Sequence, residues 1–485
     1  MTSVSKNIGS NIFREKPLIL LPILMAAAIG GLIGILDVKW ALVATMVPLI
    51  ALFFGKIILS PGFGVFTALV ASFVVLGVSR YIAYPWGLSV DIILVIGWIG
   101  LLFHKIQDRD WSPFFNDIVW WSIVWYGYII LELVNPEMPG TSAWAYAMRG
   151  VGFYQLLGFT LAFAFLRHYR YMKQFVNIIL GLSVLGAIWG LKQQFLGLDA
   201  AEEYWLWEEG HAKEHVLHGV LRVFSFYSDA GQFGASQAMV ALMCGILFVG
   251  PFSWKNKLIY ALVGGITLVG FLYSGTRGAA AVLLGGAVLY LFLSKNTKIL
   301  FAGLILLGIA YYGLKHTYAL HSFQPVARLR TALDVNNPSL QARLRNQQTF
   351  SQYLSTRPFG GGIGSSAYWG ERFNPNSLLA RTPTDSYYVR IWVETGLVGI
   401  CLHLLMLGYF LGKGCGIVWH LKDPALRYRA MALLAAFFGI LVASYGNQVY
   451  SQFPTGIIMA IAIPLICLSP MYDEMIAKEK EAELT

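Results

Sequence analysis

The chain has 485 residues, of which 57% are hydrophobic and only 12% charged, with a formal net charge of +10. Soluble globular domains carry roughly 25% charged residues, so a water-soluble fold of this size is excluded. Apolar runs of about 17–22 residues recur from end to end, the length that crosses a hydrocarbon core of about 30 Å.

Lys6, Arg14 and Lys16 precede the first apolar run in the manner of a secretory signal, with small residues at Ala26 to Ala28. A second run begins at once from Trp40, so an uncleaved first helix is expected. Candidate spans then follow near 18–36, 40–58, 63–80, 88–104, 118–134, 151–167, 173–190, 229–250, 258–273, 279–294, 299–314, 391–412, 430–446 and 455–470. The expected fold class is an all-α polytopic membrane protein of about 12–14 transmembrane helices, organised as one membrane domain over residues 1–485. The 15 tryptophans and 25 tyrosines suit its interfacial belts.

Charge placement orients the spans. With the N-terminus inside, the inner loops collect Lys105 and Arg109, Arg167, Arg170 and Lys173, Lys255 and Lys257, Lys295 and Lys298, then Lys413, Lys422, Arg427 and Arg429. The short outer loops hold little beyond Lys39, Arg80, Arg149 and Arg277. That is the positive-inside pattern, and it puts both termini in the cytoplasm.

Two longer segments then face outward, 191–228 and 315–390. The second carries Lys315, Arg328, Arg330, Arg343, Arg345, Arg357, Arg372, Arg381 and Arg390 against Asp334, Glu371 and Asp385. Guanidinium forks match phosphate oxygens bidentately and keep their charge, so this large extracytoplasmic loop reads as a surface for an anionic ligand. The plainer alternative is a face turned to solvent or lipid headgroups. Leu340 to Tyr353 reads as an amphipathic helix lying on the membrane.

Cys244, Cys401, Cys415 and Cys467 make no close pair and read as packing residues. His211, His215 and His218 would share one helical face beside Glu208, Glu209 and Glu214. A polar interfacial helix anchored by Trp205 and Trp207 is the plainer reading, an acceptor-binding role for His215 the sharper one; a metal site is not required. His403 sits in mid-span and reads as a hydrogen-bonded interior residue. Asn447, Gln448 and Gln452 either line a sugar site or cap helices.

Four patterns fall on the outer side. Arg222 to Gly234 sets an arginine, Asp229 and Gln232 at a helix entrance, where backbone N–H groups favour anions. Ser274-Gly275-Thr276-Arg277-Gly278 is a tight turn between spans. Arg357 to Gly364 is glycine-rich, permitting unusual backbone angles and close approach to a ligand, but it lacks the lysine and the strand-then-helix context of a nucleotide P-loop. Thr384 to Gly396 leads into the next span.

Together these patterns resemble the O-antigen ligase and polymerase superfamily of bacterial envelope glycosyltransferases. The likeness covers about residues 220–400: an arginine before a Phe-x-x-Asp entrance (Arg222), a Ser-x-x-Arg-Gly turn (Arg277), a Pro-x-Gly-x-Gly loop from Pro358, and a tyrosine followed after five residues by Glu-x-Gly (Tyr388, Glu394, Gly396). The resemblance implies a GT-C-like architecture in the bacterial inner membrane and a polyprenyl-diphosphate-linked glycan as donor. It also implies inverting transfer on the periplasmic face, without metal or cofactor. The acceptor would be lipid A-core in a ligase, or a lipid-linked repeat unit in a polymerase; membrane lipids are further partners and nucleic acid is not.

Arg222 and Arg277 are then the candidate clamp for the donor diphosphate, with Arg357 or Arg381 assisting. Tyr388, Glu394 and His215 would position the acceptor. Where the ligase pattern has a histidine as candidate base, this chain has Asp385. An aspartate, with an ordinary pKa of about 3.9, is a weaker base, so His321 and His316 in the same loop remain alternatives. The rival class is a lipid-linked glycan transporter, which would need ionisable residues deep in several spans and two related halves. The spans here are nearly free of charge at their centres.

Overall fold

A computed structural model describes residues 38–217, 219–317, 324–330 and 338–484. The chain forms two compact units, 1–60 and 61–485. In the first, the described part is one apolar helix, α1 (Val38–Leu59). The candidate span at 18–36 lies outside the described residues, as do His218, His321 and Asp334.

The second unit is helical almost throughout. Helices α2 (Pro61–Val78), α3 (Gly87–Asp108) and α4 (Asp117–Leu131) come first. Then α5 (Thr141–Met148) joins α6 (Tyr154–Phe165) through a π-helical turn at Arg149–Phe153, and α7 (Tyr169–Phe195) follows. Residues 196–229 hold α8 (Ala200–Trp207), α9 (Ala212–His215) and a hairpin of β1 (Val216–Leu217) and β2 (Val220–Leu221), paired antiparallel with Val216 opposite Leu221. Four apolar helices follow: α10 (Ala230–Val249), α11 (Trp254–Tyr273), α12 (Ala280–Leu293) and α13 (Thr297–His316).

The basic segment folds as α14 (Gln324–Arg330), α15 (Pro338–Leu354), α16 (Ala367–Phe373) and α17 (Leu378–Arg381), and α15 coincides with the amphipathic stretch expected at 340–353. The chain closes with α18 (Tyr387–His420), α19 (Pro424–Ala443), α20 (Thr455–Cys467) and α21 (Ser469–Leu484). Among the described residues eight helices are long and apolar enough to cross a bilayer, or nine if α20 and α21, bent by 52°, count as one span. Thr45–Leu59, Arg277–Leu293 and Thr297–Gly313 are shorter apolar helices.

The core lies where α10, α19 and α20 are buried along most of their length. Small residues allow the crossing of α12 and α19. A β-carbon at Gly286 would stand 2.6 Å from the Ala435 carbonyl, and one at Gly439 would stand 2.4 Å from the Val282 carbonyl. Backbones this close are how helices associate where lipid removes the hydrophobic drive between them.

Long-range contacts sort the helix ends into two sets. At one end Lys413 meets Asp117, Lys105 and Arg167 lie within 4.0 and 3.9 Å of Asp110, and Arg429 meets Tyr169. That end collects the residues the charge pattern assigned to the inner loops. At the other end the starts of α10, α18 and α20 meet the termini of α11 and α19: Val223 N–H donates to the Tyr273 carbonyl at 3.3 Å, and Tyr387 N–H to that of Ser444 at 2.9 Å. Residues 196–229 and the basic segment both pack there.

Candidate functional site

The stretch before α10 is wound around a half-buried arginine. The Arg80 guanidinium donates to the carbonyls of Ser225 and Tyr227, and lies 4.3 Å from the ring of Trp205 and 4.6 Å from that of Phe224. Burial draws its pKa down to about 10 although the nearby Glu202 opposes the shift. Gln193 Oε1 accepts from Ser225 N–H at 2.7 Å, which fixes Ser225 in the left-handed region (φ 53°). This frame delivers Arg222 and Asp229 to the mouth of α10. Asp229 caps that helix by accepting from Gln232 N–H at 2.9 Å, and takes a second hydrogen bond from Gln452 Nε2 at 3.3 Å.

Arg222 donates to Thr276 Oγ1 at 2.9 Å and to the Glu214 carbonyl at 2.8 Å, while its buried Nε has no hydrogen-bond partner. Burial, then the neighbouring Arg328, holds it below the ordinary arginine range. Thr276 and Arg277 belong to the turn between α11 and α12, where Gly275 is left-handed (φ 57°). A β-carbon there would stand 2.7 Å from Arg328 Nη1 and 3.6 Å from Arg222 Cγ, so both side chains lie against the turn. Arg277 Nη2 is 3.4 Å from Ser339 Oγ at the start of α15, and burial, then the charge of Arg343 on that helix, holds Arg277 below the ordinary arginine range. Arg343 Nε is 3.6 Å from Asp385 Oδ2.

The structure therefore brings together three residues singled out in the sequence, Arg222, Arg277 and Asp385, and adds Arg328 and Arg343. Asp385 is left-handed (φ 45°), and its side chain is 43% exposed. A non-glycine residue in that region is strained backbone of the kind that gathers at functional sites.

Behind Asp385 runs a buried relay. Gln448 Nε2 donates to Thr384 Oγ1 at 2.8 Å, Arg390 Nη1 donates to Gln448 Oε1 at 3.3 Å, and Arg390 Nε reaches Glu394 Oε1 at 3.1 Å. Ser366 Oγ donates to the same carboxylate oxygen at 2.9 Å, and Glu394 is fully buried. Tyr388 OH donates to the Leu441 carbonyl at 2.7 Å, tying α18 to α19.

The glycine loop approaches the chain's own backbone. Gly396 breaks α18 (φ 65°), and a β-carbon there would stand 2.1 Å from the Pro358 carbonyl. Gly361 N–H donates to the Val393 carbonyl at 2.9 Å. The glycines at 360–364 thus let the loop seat in the helix break, where the sequence had suggested approach to a ligand.

Other candidates stand apart from the arginine cluster. Arg357 donates to Glu137 Oε1 at 3.0 Å, and Arg381 to Asn376 Oδ1 at 2.6 Å. His215 is buried beside Trp205 and Phe224, with Nδ1 3.0 Å from the His211 carbonyl and Nε2 taking Ala230 N–H at 3.4 Å. Desolvation lowers its pKa to about 4. The helix expected to align three histidines ends at His215, because Val216–Leu217 pair antiparallel with Val220–Leu221 beside a left-handed Gly219. His316 closes α13, its ring centroid 4.7 Å from that of Tyr312 and tilted by 34°.

Residues 262–404 match the family model described as O-antigen ligase. A relative described as an O-antigen polymerase, from Salmonella muenchen, is 22% identical over 345 residues, covering 67% of this chain and 82% of that protein. Both likenesses support the O-antigen ligase and polymerase superfamily.

The match to the family model runs from within α11 into the broken α18 and so contains Arg277, Arg328, Arg343, Asp385 and Glu394, while Arg222 lies outside it. Sequence reasoning passed over Arg80, Arg328 and Arg343 as site residues. Arg80 looked like a stray outer-loop charge, and the other two were part of a general basic character. Only the packing of α14 and α15 on the turn after α11 separates them from their neighbours.

Proposed function

We propose that this protein transfers a glycan from a polyprenyl-diphosphate carrier to an acceptor hydroxyl, on the extracytoplasmic face of the bacterial inner membrane. The observation that carries the reading is the convergence of Arg222 and Arg277 with Asp385 at one end of the bundle, joined through Arg343. The acceptor oxygen attacks the anomeric carbon from the side opposite the diphosphate, and the bond from that carbon to the phosphate oxygen breaks with inversion. The lipid diphosphate leaves with the bonding electrons, and the arginines stabilise the charge that develops on it. The acceptor proton passes to the carboxylate of Asp385, exposed enough to be reached.

The relay of Gln448, Arg390 and Glu394 positions Asp385 by fixing Thr384 beside it. Likeness to the Salmonella polymerase over most of both chains favours a lipid-linked repeat unit as acceptor. The ligase domain match keeps lipid A-core as the second reading.

The test is glycan transfer in cells carrying Arg222→Ala, Arg277→Ala, Asp385→Ala or Asp385→His, with membrane protein levels measured alongside. The alanine variants should stay abundant, transfer no glycan and accumulate lipid-linked glycan. Normal transfer by all three would refute the site. Elongated lipid-linked chains in the wild type would identify a polymerase, and capped lipid A-core a ligase.

A further inference from the structure

We infer that the turn between α19 and α20 reads the hydroxyls of the donor's first sugar, through the side-chain amides of Asn447 and Gln452. This rests on the donor-binding reading given above, in which the transferred sugar lies between the diphosphate and Asp385.

The turn, residues 444–454, reaches both sides of that space. On one side a β-carbon at Gly446 would stand 3.8 Å from Arg343 Nη1, and Arg343 is the residue beside Asp385. Gln448, two residues on, is tied to Thr384. On the other side Gln452 Nε2 donates to Asp229 Oδ2 at 3.3 Å, and Asp229 is an electrostatic neighbour of Arg222. Asn447 Nδ2 lies over Gly231, 2.1 Å from where a β-carbon would stand, and Asp229 Oδ1 is 2.8 Å from the same point. A side chain at 231 would displace that amide, so the glycine lets Asn447 close on Asp229.

Neither amide caps a helix. Asp229 caps α10, and Pro454 precedes α20 without a side-chain cap bond. Gln448 engages both ends of its amide, with Thr384 and Arg390. Asn447 Oδ1 accepts from Gln448 N–H at 2.7 Å. Gln452 engages its nitrogen alone: its buried Oε1 has no hydrogen-bond partner among the described residues. The same is true of Oε1 of Gln232, a fully buried residue in the first turn of α10 whose Nε2 donates to Thr455 Oγ1. Buried acceptors left open are rare, because each forfeits its hydrogen bond to water.

A sugar hydroxyl both donates and accepts, and a neutral amide offers both functions without the charge that suits phosphate. Arginines hold the leaving diphosphate, and amides beside them tell one sugar from another. A site of this kind discriminates against a sugar lacking the hydroxyl, since its own polar atoms are then left unpaired.

The test titrates the full-length protein in nanodiscs by calorimetry with two probes. One is the lipid-linked glycan extracted from the bacterial membranes that hold it; the other is farnesyl diphosphate, which has the diphosphate without a sugar. Asn447→Ala and the nearly isosteric Gln452→Met should each weaken binding of the lipid-linked glycan about fivefold to tenfold. Farnesyl diphosphate should bind both variants within about twofold of wild type, and thermal unfolding checks that each is folded. Arg222→Ala should weaken both probes.

Unchanged binding of the lipid-linked glycan in either amide variant overturns the inference. So does equal weakening of both probes, which would make the turn a support for the arginines and not a reader of sugar. If Arg222→Ala binds both probes like wild type, the donor-binding reading itself fails, whatever the amide variants do.

Discussion

The two ends of the bundle use their positive charge in opposite ways. At one end several cations sit on a counter-charge or a ring. Lys413 meets Asp117, Lys480 lies 2.8 Å from Asp423, and Arg429 lies 4.6 Å over Phe252. At the other end Arg222, Arg277, Arg328 and Arg343 are packed near one another, partly buried, around a turn. The first arrangement ties helix termini together. In the proposed function the second binds the donor diphosphate. Basic character alone therefore does not mark a site. In the proposed function it is the arginines gathered at the turn, beside a left-handed Asp385, that do.

The comparison is broken most severely through the arginines themselves. Arg222→Ala or Arg277→Ala should lower glycan transfer by about a hundredfold or more, as expected for removal of a group that stabilises developing charge, with the protein still in the membrane. Transfer measured in isolated membranes checks this; near-normal rates would make the crowded end no different from the paired one.

Arg80→Ala probes the frame under the crowded end. It strands the buried carbonyls of Ser225 and Tyr227, and a loss of about 2–4 kcal/mol is expected, read as a fall in Tm of the purified protein. An unchanged Tm would remove Arg80 from the account of how Arg222 and Asp229 are held.

His215 gives the same frame a pH dependence. Its pKa of about 4 in the fold lies below the ordinary value of about 6.5, so the unfolded chain takes up a proton first as pH falls. The stability it contributes is present above about pH 6.5 and is lost as pH drops through that value toward 4. Tm followed from pH 7 to 4.5 should fall more steeply in wild type than in His215→Asn, and parallel curves would contradict the assignment.

The smallest effect belongs to the paired end. Lys413→Ala breaks a partly exposed ion pair and should cost no more than about 1 kcal/mol, with transfer unaltered. A large loss of transfer from that variant would erase the distinction between the ends.

Much of this was legible in the sequence, for reasons that differ by region. The helices declared themselves because each span must bury apolar surface over a fixed length, and α15 because its apolar residues recur at helical spacing. Arg222 and Arg277 stood out because arginines are costly at the entrance of an apolar helix. Arg328 and Arg343 did not, since which face of α14 or α15 turns toward Arg277 is decided by tertiary packing. His215 was misplaced on a longer helix because the pairing of Val216 with Leu221 overrides a weak local helical pattern. The glycines at 360–364 advertised close approach, but their partner, the break at Gly396, lies in another element.

The most direct test of the central claim is an experimental structure of the protein in nanodiscs with a polyprenyl diphosphate bound. The account requires the two phosphates to lie within hydrogen-bond reach of Arg222 and Arg277, at the end of the bundle that holds Asp385. A diphosphate seated at the opposite end, among Lys105, Arg167 and Lys413, would contradict it.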